Sequence, residues 1–192
     1  MDVAIVVYDG FDELDAIGPY EVFQTAGELG GDLGAELVTV TEPVTVTASH
    51  GLRLEPDGAL EDVDPDLVLV PGGGWNDRES PGVRREFDDG TIPDVLRTLA
   101  PETRIASVCT GAMLLAAAGL LTNRPATTHH TAMDDLSVFA DVQESRIVDE
   151  GDVVTCGGVT AGLDLALYIV RQECGDDVGD AVATEMEYVP RV

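Results

Sequence analysis

Lysine is absent from this chain, and basic residues of any kind are scarce. The ten basic residues are all arginine, against 37 aspartates and glutamates, which gives a formal net charge of −27. A protein this negative repels phosphate backbones and anionic headgroups, so we expect neither a nucleic-acid partner nor a membrane partner. The acidic residues are scattered through every segment, which argues against a binding patch for a basic partner. At about 1 M salt the Debye length falls to about 3 Å, so the charge favours adaptation to a salty cytoplasm.

Cysteine and histidine are also few, and their spacing matches none of the common metal or redox patterns. The cysteines Cys109, Cys156 and Cys174 include no CxxC pair, and there are three histidines. We therefore expect a reduced, cytoplasmic protein without a disulfide framework, a metal site or a cofactor. Long apolar runs and a basic N-terminal region are missing, so we expect no membrane span and no signal peptide. Neither GxGxxG nor GxxxxGK[ST] occurs, which disfavours nucleotide binding.

What the chain does contain is an alternation of short apolar runs and longer helical patterns. Strands are predicted at residues 3–8, 36–41, 66–70, 104–108, 124–129, 146–149 and 153–155, with a small hairpin over 44–48 and 52–54. Helices are predicted at 12–29, 81–89, 92–99, 112–118, 132–139, 160–173 and 178–186. Pro19 is expected to kink the first helix or to start a second one. This alternation predicts an α/β fold with a mostly parallel sheet between helices, in one domain over residues 1–192.

Residues 104–119 carry the strongest chemical signal in the sequence. Residues 105–108 form an apolar run typical of a buried strand, and Ala, Leu and Met dominate residues 112–118, as in a helix. Cys109 lies on the turn between them, which is the position of a nucleophile elbow, and the start of the helix favours thiolate over thiol. Thr110 offers a hydroxyl and an amide there, and Gly111 lets the helix start close to its neighbours. The alternative is a buried structural cysteine.

A glycine run follows the strand predicted at 66–70. Gly72, Gly73 and Gly74 lie beyond the carboxyl end of that strand, where ligands bind in open α/β sheets. Their exposed amides would suit an oxyanion hole. The alternative is a tight loop that only requires glycine.

Three further residues are candidate acid–base partners for the cysteine. Asp15 falls within the apolar face of the first predicted helix, which marks it as a site residue unless it is one of the many solvated carboxylates of this surface. His129 and His130 follow Ala126-Thr-Thr at the end of the strand predicted at 124–129, and a histidine there is a candidate base for Cys109. The sequence does not choose between the two histidines.

The chain resembles the DJ-1/PfpI (ThiJ) superfamily over nearly its whole length. The resemblance is carried by the segments PGGG (71–74), SVCTG (107–111), AGLL (118–121), ATTH (126–129) and GGVTAGLD (157–164). The segments LDAIGP (14–19) and EYVP (187–190) are similar to the isonitrile hydratase-like branch. The resemblance implies a flavodoxin-like three-layer sandwich, a nucleophile elbow at Cys109, an acid at Asp15 against the thiol, and a homodimer. Relatives with a Cys-His site often carry histidine directly after the cysteine, where this chain has Thr110, so a Cys-His protease is disfavoured.

The residues and the resemblance together predict a cysteine-dependent enzyme that acts on a small electrophilic molecule. Cys109 attacks the electrophilic carbon, Asp15 shuttles the proton, and amides near Gly73 and Thr110 stabilise the developing negative charge. Gly111 and His129 are further candidates for contact with the substrate. With an isonitrile, hydration gives an N-substituted formamide. Two alternatives stay open: a glyoxalase-, deglycase- or amidase-like hydrolase on the same cysteine, and a non-enzymatic redox sensor or small-molecule binding module.

Overall fold

The computed structural model describes residues 1–191 as strands and helices in alternation. The strands are β1 (Asp2–Val6), β2 (Gly34–Thr39), β3 (Val46–Thr47), β4 (Arg53–Leu54), β5 (Gly58–Ala59), β6 (Leu67–Val70), β7 (Arg104–Ser107), β8 (Pro125–Ala126), β9 (Asp141–Val142), β10 (Ile147–Asp149) and β11 (Val153–Cys156). The helices are α1 (Glu13–Glu28), α2 (Val83–Asp89), α3 (Thr91–Leu99), α4 (Ala112–Ala117), α5 (Met133–Leu136), α6 (Ala161–Cys174) and α7 (Asp176–Glu185). Short 3-10 turns occur at Leu60–Asp62, Cys109–Gly111 and His130–Ala132.

A seven-stranded sheet forms the centre of the molecule, in the order β10-β11-β7-β6-β1-β2-β5. Its strands are parallel except for β10, which runs antiparallel to β11. Strand β6 is buried along its whole length, as is β1 after its first residue. Continuous apolar runs of this kind are typical of parallel strands covered on both faces. Two small pairs, β3 with β4 and β8 with β9, lie outside the main sheet.

Helices cover the sheet in two groups. Helices α1, α6 and α7 pack against one another, and α2, α3 and α4 form a second packed group with α5 next to α4. The predicted flavodoxin-like three-layer sandwich is therefore confirmed. None of the helices within residues 1–191 combines the length and the apolar composition needed to cross a membrane.

Helix α1 positions the candidate acid. Its N-cap Asp12 has extended backbone angles, and its side chain accepts a hydrogen bond from the amide of Leu14 at 3.2 Å, which satisfies one of the free donors of the first turn. The helix continues through Pro19 to Glu28, so the second helix considered at Pro19 does not form. The chain then leaves the helix through Gly30, whose φ is +98°.

Short elements account for the differences from the predicted secondary structure. The strand expected at 124–129 is reduced to β8, and the helix expected at 132–139 to a 3-10 turn followed by α5. Strands β5 and β9 were not predicted, because two residues carry no periodic pattern. The carboxyl ends of β1, β6 and β7 are adjacent in the sheet. The crossover helix after β1 leads to β2 on one side, and those after β6 lead to β7 on the other, so this edge is the expected place for a site.

Candidate active site

Cys109 lies on the tight turn that joins β7 to α4. Its φ is +58°, a left-handed conformation that costs a non-glycine residue energy and persists only when neighbours hold it. Two hydrogen bonds do so: the Cys109 N–H donates to the carbonyl of Gly157 at 3.0 Å, and the Thr128 hydroxyl donates to the Cys109 carbonyl at 2.8 Å. The side chain is nearly enclosed, with 6% of the residue exposed. The geometry is that of a nucleophile elbow.

The turn fits closely under its neighbouring strand because Gly111 has no side chain. A Cβ atom at this position would lie 2.2 Å from the carbonyl oxygen of Val70, which no real side chain could tolerate. The close approach predicted for Gly111 is therefore present, although its contact is with protein backbone.

Asp15 is fully buried on the inner side of α1. Its Oδ2 accepts a hydrogen bond from the Gly72 amide at 2.9 Å, while Oδ1 has no hydrogen bond of ordinary geometry within residues 1–191. Burial raises the pKa of Asp15 to about 7, and the negative charge of Asp12 adds to this effect, whereas the Gly72 amide and the Cys109 thiol lower it. A carboxyl that titrates near neutral pH suits proton transfer.

The pKa of the Cys109 thiol is raised to about 12, first by burial and then by the negative charge of Asp15. The amides of Val159 and Thr110 face the sulfur and oppose this rise. The net direction is opposite to the predicted stabilisation of the thiolate at the helix start, because α4 is only six residues long and desolvation with a nearby carboxylate outweighs its dipole. Cys109 and Asp15 thus form a coupled pair, in which the protonation state of each group affects the pKa of the other.

The glycine loop lies against Asp15 and against Thr110, the residue that follows Cys109. The Gly73 amide donates to the Thr110 hydroxyl at 3.0 Å, and the Gly72 amide donates to Asp15 as described. The loop is anchored below by Tyr8, whose hydroxyl donates to the carbonyl of Pro71 at 2.6 Å. Gly73 has a φ of +118°. The amides of Gly72 and Gly73 are therefore engaged by site residues, so these glycines orient Asp15 and Thr110.

Val159 is a site residue that the sequence analysis missed. Its amide faces the Cys109 sulfur, and its φ of +47° is unusual for a β-branched residue. It follows Gly157 and Gly158 in the loop after β11. A third loop beyond a strand end was the available signal, since ligands bind at that edge of an α/β sheet.

The two histidines occupy different positions beside this loop. His129 packs so closely on Gly158 that a Cβ atom there would lie 2.2 Å from its Cδ2, and its Nδ1 is 2.9 Å from the Thr131 hydroxyl. Its pKa is lowered by burial and by His130. His130 is exposed and its ring lies 4.2 Å from that of His129. His129 thus borders the site, and the carboxyl nearest the thiol is that of Asp15.

One cluster near the start of α1 has the residue types of a cation site. Ligand atoms of Asp12, Glu13 and His50 lie within 4.8 Å of one another. However, the Glu13 carboxylate accepts from the amide of His50 at 2.8 Å and lies 2.7 Å from its Nδ1. Contact with Glu13 raises the pKa of His50, which favours the protonated ring. The cluster is therefore explained as an ion pair that fastens the β3–β4 hairpin to α1.

Comparison with known proteins gives relatives along nearly the whole chain. It is 34% identical over 193 residues to the isonitrile hydratase of Pseudomonas putida, covering 99% of this chain and 79% of that protein. It is 27% identical over 165 residues to a deglycase of Thermococcus kodakarensis, covering 81% and 89%. A solved THiJ/PfpI family protein from Pseudomonas syringae superimposes with a TM-score of 0.84 at 28% identity, covering 100% of this chain and 76% of that one. Residues 1–172 match the DJ-1/PfpI family, and the chain therefore belongs to that family.

Proposed function

We propose that this protein is a cysteine-dependent enzyme that hydrates a small electrophile, with an isonitrile as the best-fitting substrate. The observation that carries the proposal is the Cys109–Asp15 pair, in which a buried carboxyl with a free oxygen lies against the thiol of a nucleophile elbow. The similarity to an isonitrile hydratase over 99% of this chain supports the choice of substrate.

The pair supplies one proton that moves twice. At rest above pH 7 the Asp15 carboxylate faces the Cys109 thiol. Asp15 takes the thiol proton as the sulfur forms a bond to the terminal carbon of R–N≡C, and then gives that proton to the same carbon. The product is a thioimidate, Cys109–S–CH=N–R. A pKa near the working pH makes both transfers by one group efficient.

Water completes the reaction without any other reagent. It adds its oxygen to the thioimidate carbon and its two protons to nitrogen and Asp15. Collapse of this adduct breaks the C–S bond and forms the C=O bond, while Asp15 returns the proton to sulfur. The sum is R–NC plus water giving R–NH–CHO, and Cys109 and Asp15 are regenerated.

Thr110 and Val159 are the proposed amide donors for the charge on sulfur. Gly72 and Gly73 hold Asp15 and Thr110 in place. His129 is the proposed substrate contact, whereas Gly74 packs against Pro81 and Gly82, and Gly111 allows the turn to pack.

The enclosure of Cys109 restricts the shape of the substrate. With 6% of the residue exposed, the sulfur is reached most easily by a carbon at the end of a thin group. An isonitrile is linear and presents its reactive carbon at the tip, whereas a carbonyl carbon carries two substituents. The net charge of −27 further disfavours anionic substrates.

A second candidate is a glyoxalase- or deglycase-like hydrolase on the same cysteine. The similarity to the Thermococcus deglycase favours it over the amidase-like form. A third candidate, without turnover, is a redox sensor or small-molecule binding module that uses a reactive Cys109. Both alternatives predict loss of function on removal of Cys109, so the substrate must decide between them and the hydratase.

The test is a substrate screen in molar potassium chloride, followed by NMR detection of products. Wild-type protein should convert a neutral alkyl isonitrile to the N-substituted formamide, and Cys109→Ala should not. Cys174→Ala is the matched control, because it removes a thiol outside the site. Turnover of methylglyoxal with no formamide from isonitriles would select the hydrolase, and no turnover of either would select the sensor. We also propose a homodimer in a salty cytoplasm, as the family resemblance and the charge suggest.

A further inference from the structure

The loop at residues 157–160 contacts the Cys109 turn at two points. The Gly157 carbonyl accepts the Cys109 N–H at 3.0 Å, and the Val159 amide faces the sulfur. Val159 holds a left-handed backbone conformation, with φ at +47°. Such a conformation costs a β-branched residue energy, so the surrounding structure must impose it.

Arg146 holds this loop at both ends. Its carbonyl accepts the Gly157 N–H at 2.9 Å, and its guanidinium lies 3.3 Å from the Thr160 hydroxyl. The same guanidinium donates through Nε to the Asp164 carboxylate in α6. Arg146 therefore contacts the start of the loop through its backbone, and the end of the loop and the helix that follows through its side chain.

Asp164 is a fully buried anchor for Arg146. In addition to the guanidinium, it accepts the Tyr188 hydroxyl at 3.1 Å and the Arg191 amide at 2.8 Å. These partners leave little capacity for a substrate group. The carboxylate thus fixes the orientation of Arg146 and joins it to the C-terminal segment.

We propose that Arg146 and Asp164 are positioning residues for the reaction, which hold the Val159 N–H against the Cys109 sulfur by fixing the loop at residues 157–160. The inference rests on the proposed role of Cys109 as the nucleophile. Neither side chain contacts the sulfur, so their effect must pass through the loop.

Alkylation of Cys109 by iodoacetamide, followed over a pH series by peptide mapping, tests this role. Loss of an amide hydrogen bond to the thiolate should raise its pKa, so Arg146→Gln should alkylate about tenfold more slowly at each pH. Arg146→Lys keeps the charge and should recover part of the rate. The direction of the change in alkylation rate is decisive. If Arg146 only stabilised the fold, its loss would loosen the turn, expose the sulfur and speed alkylation. A rate equal to or above that of the wild type overturns the proposal.

Arg124→Gln is the matched control. Arg124 also pairs with an aspartate, Asp152, but at the amino end of β11, far from Cys109 along the strand. The Arg124→Gln substitution makes the same change in net charge as Arg146→Gln and should leave the alkylation rate of Cys109 unchanged. An equal slowing in Arg124→Gln would assign the effect to charge alone and overturn the inference.

A milder variant covers the case in which Arg146→Gln does not fold. Thr160→Val leaves the Arg146–Asp164 pair intact and removes one contact to the loop, so alkylation should slow about threefold. Thr98→Val, at an exposed threonine of α3, is its control. No slowing in folded Thr160→Val would then overturn the proposal. Alkylation needs no isonitrile, so these results are independent of whether the protein is a hydratase.

Discussion

Two buried aspartates on neighbouring helices differ in their hydrogen-bond partners and in whether a cation lies beside them. Asp15 in α1 and Asp164 in α6 are both fully buried, and the two helices pack against each other. Asp164 accepts hydrogen bonds from Arg146, Tyr188 and the Arg191 amide. Asp15 accepts a hydrogen bond from the Gly72 amide and has no cation beside it within residues 1–191. A buried carboxyl with a complete set of donors anchors structure, whereas one without a countercharge retains a proton that chemistry can use.

The largest expected effect is on stability, at Asp164. Asp164→Asn leaves the Arg146 guanidinium without its countercharge, and breaking a buried pair from one side typically costs about 3 kcal/mol or more. Urea denaturation at pH 7 in molar salt should show a loss of this size. Asp177→Asn, on the exposed side of α7, is the control with the same charge change. Similar losses of stability in Asp164→Asn and Asp177→Asn would contradict the role of Asp164 as a structural anchor.

The next effect is on activity, at Asp15. Asp15→Asn keeps the size and the hydrogen bond from Gly72 but cannot exchange a proton. We expect it to fold and to lose at least about a hundredfold in any Cys109-dependent turnover. Steady-state kinetics of Asp15→Asn, with Asp177→Asn as the control, measure this loss of turnover. Full activity in Asp15→Asn, with no activity in His129→Ala, would transfer the role to a Cys-His pair and end the hydratase assignment.

Asp15 should also affect stability, in the opposite direction to Asp164 and only at higher pH. Its pKa in the folded protein is about 7, above the ordinary value of 3.8, so the fold binds this proton more tightly than the unfolded chain does. The resulting stability is complete below about pH 4 and is lost as the pH rises to about 7. Asp15→Asn should therefore gain about 2 kcal/mol at pH 8, less than the full shift implies because a buried amide also loses solvation. A constant gain from pH 4 to pH 8 would contradict the raised pKa.

A smaller effect is expected at His129. The ring packs on Gly158 and borders the site, whereas Asp15 interacts with the thiol itself. We expect His129→Ala to lose less than about tenfold in turnover, and His130→Ala to lose less still, because neither supplies the proposed proton transfer. Comparing the two variants under one set of conditions also separates the roles of the adjacent histidines. A loss at His129 larger than that at Asp15 would reverse the proposed order.

The smallest expected effect is that of salt on the difference in unfolding free energy between Asp15→Asn and Asp164→Asn. The net charge of −27 predicts a large rise in the unfolding midpoint from dilute buffer to molar potassium chloride. Buried charges are screened much less than exposed ones. The gap in unfolding free energy between Asp15→Asn and Asp164→Asn should therefore stay nearly constant while both midpoints rise. A flat response of the wild type would remove the argument for a salty cytoplasm.

Local patterns carried most of what the sequence predicted. The strand–turn–helix pattern placed Cys109 on its turn, and an acidic residue within an apolar helical face identified Asp15 as unusual. Both signals lie within a few residues of the group concerned. The positive φ of Val159 and the partners of Asp164 could not be predicted in this way, because they depend on contacts between segments far apart in the chain. The raised pKa of Cys109 was missed for the same reason, since burial and Asp15 outweigh the start of α4.

The hydrogen bond from Cys109 to Gly157 has a consequence for the order of folding. Chains are made from the N-terminus, so Cys109 leaves the ribosome before the loop that holds its backbone. Until β11 joins β7, the Gly157 carbonyl is not in place and the Thr128 hydroxyl alone supports the left-handed turn, so we expect Cys109 to relax toward an ordinary conformation with an exposed thiol. The Cys109 sulfur, which is enclosed in the folded protein, is thus expected to be exposed in the nascent chain. We therefore expect Cys109 to react with oxidants and electrophiles more readily during synthesis than in the folded protein.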